Sequence, residues 1–428
     1  MKTLFCFLAM VVTLVMAIST PAQSSAKSPA QLSAPWLTET ERVKFEELRD
    51  AGFEALYNLE YMKARASFSE MERSFPQHPA GLQFLASSLW IETLHKTRRL
   101  QSSLFNSKSF YANGDEKVDP KVVDQFRTWT RAAKKLAEAR LKQYPQDTEA
   151  LYFLGSTEGL KASFEEAVER RHFAALRDGS DAVDHHKQII KLDPTYRDAE
   201  ITIGLYEYVV GSLPFPAKIL AGITGAHGSK KKGIAKVERV ALEGRMARDQ
   251  AKTLLIVLYV REKRYGDAAR VARELATKYP RNYIYRLEAA DALVQQAEWN
   301  RANKVVGNAV AEEEAFGVFE SLLTDKAVAE SAAGALDLIH FEYGEALLRS
   351  GRYQKAAEQF MLATKVEGAD QGLATMAHLF AGRALDASNQ REQAVNQYRL
   401  VLSRPDVFEA HDEAHKGLRD PFKISRMD

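Results

Sequence analysis

Two histidines, His411 and His415, stand four residues apart in the run His-Asp-Glu-Ala-His. On a helix that spacing puts both imidazoles on one face, the arrangement of a pair of zinc ligands. Glu413 between them is out of register for the general base of a His-Glu-x-x-His metalloprotease. No third ligand lies nearby in the sequence, so the pair reads as part of a solvated terminal helix. Glu92 with His95, and Glu169 with His172, have the Glu-x-x-His spacing of di-iron helical bundles. With ten histidines in the chain, such pairs arise by chance. Salt-bridging residues along helices are the plainer reading.

The stretch Gly222 to Gly233 carries four glycines and Lys230-Lys231-Lys232. It lacks the Gly-x-x-x-x-Gly-Lys-[Ser/Thr] order of a nucleotide-binding loop. Ser229 is expected to cap a helix that begins near Lys230. The first N–H groups of that helix make Ser229, Lys230 and Lys231 a candidate anion site. There is no Gly-x-Ser-x-Gly elbow, and the single cysteine, Cys6, lies in an apolar N-terminal run. A disulfide, a CxxC redox pair and a cysteine-rich zinc site are therefore excluded within one chain. No cofactor and no catalytic group is expected.

The chain has 428 residues, with 59 Lys+Arg against 57 Asp+Glu and a formal net charge of +2. That balance gives no general pull towards nucleic acid, and none is expected as a partner. Lys2, the apolar run Leu4 to Ile18 and Thr20-Pro21-Ala22 form the three parts of a secretory signal peptide. The run is shorter than the about 20 residues of a membrane span. The sequence thus predicts a signal peptide over 1–22, a flexible leader over 23–36, and export to a periplasmic or secreted location. Retention as an N-terminal anchor is the alternative.

The elements that position these residues follow from a repeat. A Gly is followed by Ala 12 residues later, an aromatic 16 later and Pro 24 later in Gly52, Ala64, Phe68, Pro76. Gly344, Ala356, Phe360 and Gly382, Ala394, Tyr398 keep the first three positions. Ile256, Ala268, Ala272, Pro280 keep the spacing with two substitutions. A small residue on one helix and an Ala on the next permit a close crossing. The aromatic fills the gap between successive hairpins, and the proline ends the second helix.

This pattern resembles the tetratricopeptide repeat (TPR), a pair of antiparallel helices. The fold class implied is all-α: a TPR-like right-handed α-solenoid of about seven or eight hairpins over residues 37–418, with a tail over 419–428. Ala86, Ala133, Ala137, Pro145 fit with an insert over about 98–120, where Asp119-Pro120 should start a helix. Gly155, Ala182, His186, Pro194 fit with an insert over about 163–177, read as a lengthened helix ending at Asp178-Gly179. Gly204, Gly233, Val237, Val240 fit with a Gly/Pro-rich insert over about 211–233. A weaker repeat is built on Ala290 and Ala302, Ala311 to Gly334 reads as a connector, and Val407 to Leu418 as a closing helix. Thr253 to Val260 could be a strand by composition but reads as a buried helix in this frame.

Within residues 194–280, Gly204-Leu205-Tyr206-Glu207-Tyr208, Gly211-Ser212-Leu213-Pro214, Lys218 to Gly222 and Gly228 to Gly233 are similar to the tetratricopeptide-repeat 39-type family, which includes inclusion-body-clearance proteins. Ser229-Lys230 stands where that family has Asp-Arg. The resemblance implies an adaptor or scaffold, and supplies no catalytic residue.

First helices of TPR arrays line a concave surface. On the repeat frame Tyr152, Leu205, Tyr208, Ile284, Leu287, Leu338, Phe341 and Leu379 are expected to line an apolar groove for a protein or peptide. The functional expectation is an exported, non-catalytic TPR adaptor. The alternative is a lipid- or membrane-associated carrier that uses the apolar 211–233 insert, with Leu213, Phe215, Ile219, Leu220 and Ile223. That insert could equally fold over and fill the groove.

Overall fold

A computed structural model describes residues 35–98, 100, 118–169, 171–214, 218, 228–305, 308–326, 330 and 332–423. Among them are seventeen α-helices and no strand. The fold is an all-α, TPR-like solenoid of antiparallel hairpins. The signal segment, most of the leader, residues 101–117, most of 215–227 and 424–428 lie outside the described residues. The chain groups into two compact units, Met1–Leu258 and Tyr259–Asp428.

In the first unit, α1 (Glu39–Tyr57) pairs with α2 (Tyr61–Ser74), α3 (Ala80–Lys96) with α4 (Pro120–Gln143), α5 (Thr148–Phe164) with α6 (His172–Leu192), and α7 (Glu200–Ser212) with α8 (Lys230–Glu243). The helix α9 (Arg248–Arg261) follows, so Thr253 to Val260 is helical, as the repeat frame requires. In the second unit, α10 (Tyr265–Lys278) precedes α11 (Tyr283–Ala302) with α12 (Asn308–Thr324), α13 (Leu336–Arg349) with α14 (Tyr353–Ala363), and α15 (Gln371–Ala387) with α16 (Arg391–Leu402). A closing helix α17 (Ala410–Arg419) packs on α16 and α15.

The repeat residues explain the crossings. A Cβ on Gly52 would lie 2.2 Å from the Phe68 ring, one on Gly344 2.8 Å from Phe360, and one on Gly382 2.6 Å from Tyr398. The aromatic therefore sits directly on its own hairpin's glycine. It also meets the next hairpin, with ring centroids 5.3 Å apart for Phe68–Phe84 and 5.5 Å for Phe360–Phe380. Ala64, Ala356 and Ala394 are fully buried beside these contacts. At Gly155 the partner is His186, 2.7 Å from the notional Cβ, and at Gly204 it is the backbone of Gly233 at 2.8 Å.

Side-chain oxygens start the helices where the sequence offers them. Thr38 and Glu41 form a reciprocal capping box on α1, and Asp119 caps α4 with Pro120 in its first turn. Ser229 Oγ accepts from Lys232 N–H at 3.3 Å and caps α8. Asp198 acts across helices: its Oδ1 accepts from the N–H groups of Arg245, Met246 and Ala247 at 2.8 to 3.1 Å, just ahead of α9. Sequence spacing gives no hint of that contact, since the partners are almost fifty residues apart.

Three expectations are corrected. The second helix of the hairpin begun by Ala290 is α12, in the segment read as a connector, and Ala302 is the last residue of α11. Buried Ala315 and Phe319 occupy its repeat positions, displaced because α11 runs on for 20 residues. Asp178-Gly179 does not end a helix. The break falls after a π-helical turn at Glu165–Glu169, and α6 runs through Asp178, whose buried carboxylate accepts from Lys161 Nζ at 2.5 Å. Trp36, placed in the leader, is packed: its ring is 4.5 Å from His78 and Arg140 lies 5.1 Å over it.

Candidate partner-binding face

Seven of the eight residues expected to line a groove are core residues. Tyr152, Tyr208, Ile284, Leu287, Leu338, Phe341 and Leu379 all expose 7% or less. Only Leu205 is half-buried. The physical reason is cover by neighbouring helices. Three and six residues before the small residue, a side chain points at neighbouring helices, as Phe341 does towards Phe360 at 5.3 Å and Phe380 at 5.5 Å. The residue directly after the small residue shares that helix face, four residues on, but is less covered. Phe53, Ser87, Ser156, Leu205 and Val257 in the first unit hold that register, and Asp291, Glu345 and Arg383 in the second; all eight are half-buried. Whether the 211–233 insert covers a groove lies outside the described residues.

In the second unit this register and its neighbours are charged. Glu288, Asp291 and Glu298 of α11 act electrostatically on Glu342, Glu345 and Arg349 of α13. Arg349 Nη1 is 3.5 Å from Asp291 Oδ1, whose other oxygen accepts from Gln295 Nε2 at 2.5 Å. Burial, followed by the charges of Asp291, Glu345 and Glu288, pushes Glu342 well above the usual carboxylate range. Burial also raises Glu345, against the pull of Arg349. Burial works against the Arg349 charge, but Asp291, Glu345, Glu298 and Glu342 together raise its pKa. Water still reaches part of Glu342, Glu345 and Arg349. Protein-crowded yet accessible side chains are what a recessed surface presents. An excess of carboxylate facing one arginine is a site that a cation would relieve.

The corresponding face of the first unit carries no charge at the residue after the small residue, and its half-buried neighbours Tyr57, Ile91 and Leu160 are apolar or aromatic. Several ionisable groups elsewhere in this unit are paired. Glu158 is buried and bonds Lys134 Nζ and His185 Nδ1, each at 2.8 Å. His78 is enclosed by Trp36, Phe45 and Phe153 at 4.5 to 5.0 Å, accepts from Ala80 N–H, and meets Glu149 at 3.4 Å. Burial opposes the Glu149 charge, yet hydrogen bonds from His78 and Arg42 bring its pKa down to about 2.

The other sequence candidates are placed as follows. Glu92 pairs with Arg65 and Lys96, and Glu169 with Arg127 and Arg171, so both carboxylates sit in ion pairs. His411 Nε2 contacts the Arg404 carbonyl at 2.9 Å and His415 is exposed. Among the described residues no three His, Cys, Asp or Glu side chains converge as metal ligands. Lys230 and Lys231 are exposed at the start of α8, with Lys230 Nζ 5.9 Å from the Tyr208 ring. A Cβ on Gly211 would lie 2.5 Å from Lys230 N, so the last turn of α7 crowds that helix start. Among the described residues no helix is long and apolar enough to cross a membrane.

Sequence reasoning missed Asp291, Glu342, Glu345 and Arg349. The available signal was the residue type directly after each small residue, which changes from uncharged to charged along the chain.

No family model matches the chain, and no curated protein matches it. The narrower likeness of residues 194–280 to the tetratricopeptide-repeat 39-type family stays a resemblance. Similar solved structures include human IFIT1 as a dimer with m7Gppp-AAAA, at 12% identity, covering 88% of this chain and 85% of that one with a TM-score of 0.41. The human IFIT1 dimer with PPP-AAAA matches at 13% identity over 89% and 84%, TM-score 0.40. A tetratricopeptide repeat protein from Parabacteroides merdae ATCC 43184 matches at 13% identity over 79% and 99%, TM-score 0.30. The fold assignment rests on the hairpin packing described above.

Proposed function

We propose that the chain is a non-catalytic binding scaffold whose second unit receives a cationic segment of a partner polypeptide on the α11–α13 face. The observation that carries this reading is the half-buried group Asp291, Glu298, Glu342 and Glu345 set against Arg349, whose guanidinium is 3.5 Å from Asp291. A Lys or Arg side chain entering there gains a carboxylate partner and relieves repulsion already present. The same carboxylates repel a phosphate backbone, so nucleic acid is disfavoured at this face. Recognition is thus by charge, where the sequence alone suggested apolar contacts. A fluorescent Arg/Lys-rich decapeptide tests it by anisotropy at low and high salt. The wild-type chain binds the probe with an affinity that falls as salt rises, and Glu342→Gln with Glu345→Gln weakens it at least fivefold. Equal binding of a Glu-rich decapeptide would refute the reading.

The first unit supports a second ligand class. Phe53, Leu205 and Val257, with Tyr57, Ile91 and Leu160, present apolar surface in the accessible register, which suits an apolar helix or an acyl chain. Native mass spectrometry after gentle extraction checks the lipid version: a co-purifying lipid supports it, and a bare chain mass counts against it. We also propose that the chain works after export. The mass of the protein purified from cells decides this, since cleavage after Ala22 removes the whole signal segment.

A further inference from the structure

The accessible register of the second unit continues beyond the carboxylates. The helix α13 packs on both α11 and α15, so the residues directly after the small residues form a row: Asp291, Glu345, Arg383. All three are half-buried. The third reverses the charge. The Arg383 guanidinium lies 5.2 Å from the Phe380 ring and 5.2 Å from the Phe422 ring, and donates to Glu413 Oε2 at 2.6 Å. Its charge is already answered, and it repels a further cation. What α15 offers a partner is therefore the two half-buried rings of Phe380 and Phe422. Phe380 adjoins α13 directly, with its ring 5.5 Å from that of Phe341, the neighbour of Glu342. From α11 to α15 the face thus presents carboxylate, carboxylate, aromatic.

The step along this row has a length. Helices packed side by side lie about 8 to 10 Å apart. A polyproline-type chain has three residues per turn and rises about 3.1 Å per residue, so every third side chain faces the same way at steps of about 9 Å. A β-type chain returns to one face at about 7 Å and again at about 14 Å, which misses the step.

We infer that the partner segment crosses α11, α13 and α15 as an extended polyproline-type chain, with two cations three residues apart and an aromatic or apolar residue three further on. This rests on the proposed role of the acidic face and adds the spacing that the face selects. One cation meets Asp291 and the next meets Glu345. The third side chain packs on Phe380 and Phe422. Arg383 keeps a third cation off α15, which gives the pattern its uncharged end.

The experiment uses labelled eighteen-residue peptides of one composition, two arginines and one phenylalanine among proline, alanine and serine, titrated into the full chain by anisotropy. Two carry Arg-x-x-Arg-x-x-Phe, one in each chain direction. A third has adjacent arginines. A fourth spaces the same three residues seven apart, the step of about 10.5 Å on one face of a helix. One of the first two is expected to bind at least fivefold tighter than the third and fourth, and at least threefold tighter than its own version with serine for phenylalanine. Phe422→Ser in the chain is expected to remove that threefold preference and to leave binding of the serine version unchanged, with an unchanged melting curve as the control. The comparisons among peptides on the unaltered chain stand whatever that variant does to folding. If the first two peptides bind no tighter than the one with adjacent arginines, the spacing is wrong while the acidic-face reading stands. Tightest binding by the seven-residue spacing would overturn the extended chain in favour of a helix. If no peptide binds, or if Glu342→Gln with Glu345→Gln leaves binding unchanged, the acidic-face reading falls and the spacing falls with it.

Discussion

The two units use the same hairpin and differ in what the hairpin shows to solvent. Gly52 under Phe68 and Gly344 under Phe360 are the same packing solution. Yet the residue after the glycine is Phe53 in one and Glu345 in the other. In the first unit the long connections lie between helices of a hairpin, and charge is tied up in pairs such as Glu158 with Lys134 and His185. The second unit has such pairs too, as Arg286 with Asp325, but α11 and α13 also bring Asp291, Glu342 and Glu345 round Arg349. The lesson is that core register and surface register are separable. The Gly, Ala and aromatic fix the crossing, and one further residue per hairpin sets what the unit can bind.

The largest effect is expected from Leu287→Glu. Leu287 is 1% exposed, so a carboxylate there is buried without a partner and costs about 4 to 5 kcal/mol in chemical denaturation. A cost below about 1 kcal/mol would return Leu287 to the surface and undo the comparison. Phe360→Ala comes next: it removes the ring that covers Gly344 and meets Phe341 and Phe380, at a cost of about 3 to 5 kcal/mol. The same change at Phe68 is expected to cost a similar amount, since both units share this packing; a tenfold disparity in equilibrium constant would say they do not.

A smaller effect of opposite sign is expected from Glu342→Gln with Glu345→Gln. Both carboxyls titrate above their ordinary range in the folded chain. Their contribution to stability is therefore fully present below the unfolded carboxylate pKa and is lost as pH rises through the folded values. Removing the charges should stabilise the chain at pH 7 by on the order of 1 kcal/mol. The difference between variant and wild type should shrink towards pH 4, as read from urea midpoints. A variant less stable than wild type at pH 7 would mean that the carboxylates are satisfied. Ser156→Glu in the accessible register of the first unit is expected to change stability least, by under about 0.5 kcal/mol.

Much of the fold was legible because its determinants are steric and periodic. Gly344, Ala356 and Phe360 announce a close crossing by size and spacing alone, and Asp119-Pro120 announces a helix start. Asp178-Gly179 misled because Gly179 tolerates a helix interior and Asp178 found a lysine across the hairpin. Ala302 misled because α11 continues past the length at which the repeat normally turns. The acidic face was hidden for a different reason. Glu342 and Glu345 look like ordinary solvated helix residues, and only the juxtaposition of α11 with α13 makes them a cluster. The Asp198 bonds to residues 245–247 were invisible for the same cause, a contact between distant segments.

In the proposed role the second unit, through α11 and α13, is the one that takes a cationic chain. Hydrogen exchange with and without the Arg/Lys-rich decapeptide measures it most directly. Slowed exchange is expected over residues 283–302 and 336–349, with α1, α3 and α5 unchanged. Slowed exchange on α1, α3 and α5 with no change on α11 and α13 would contradict it.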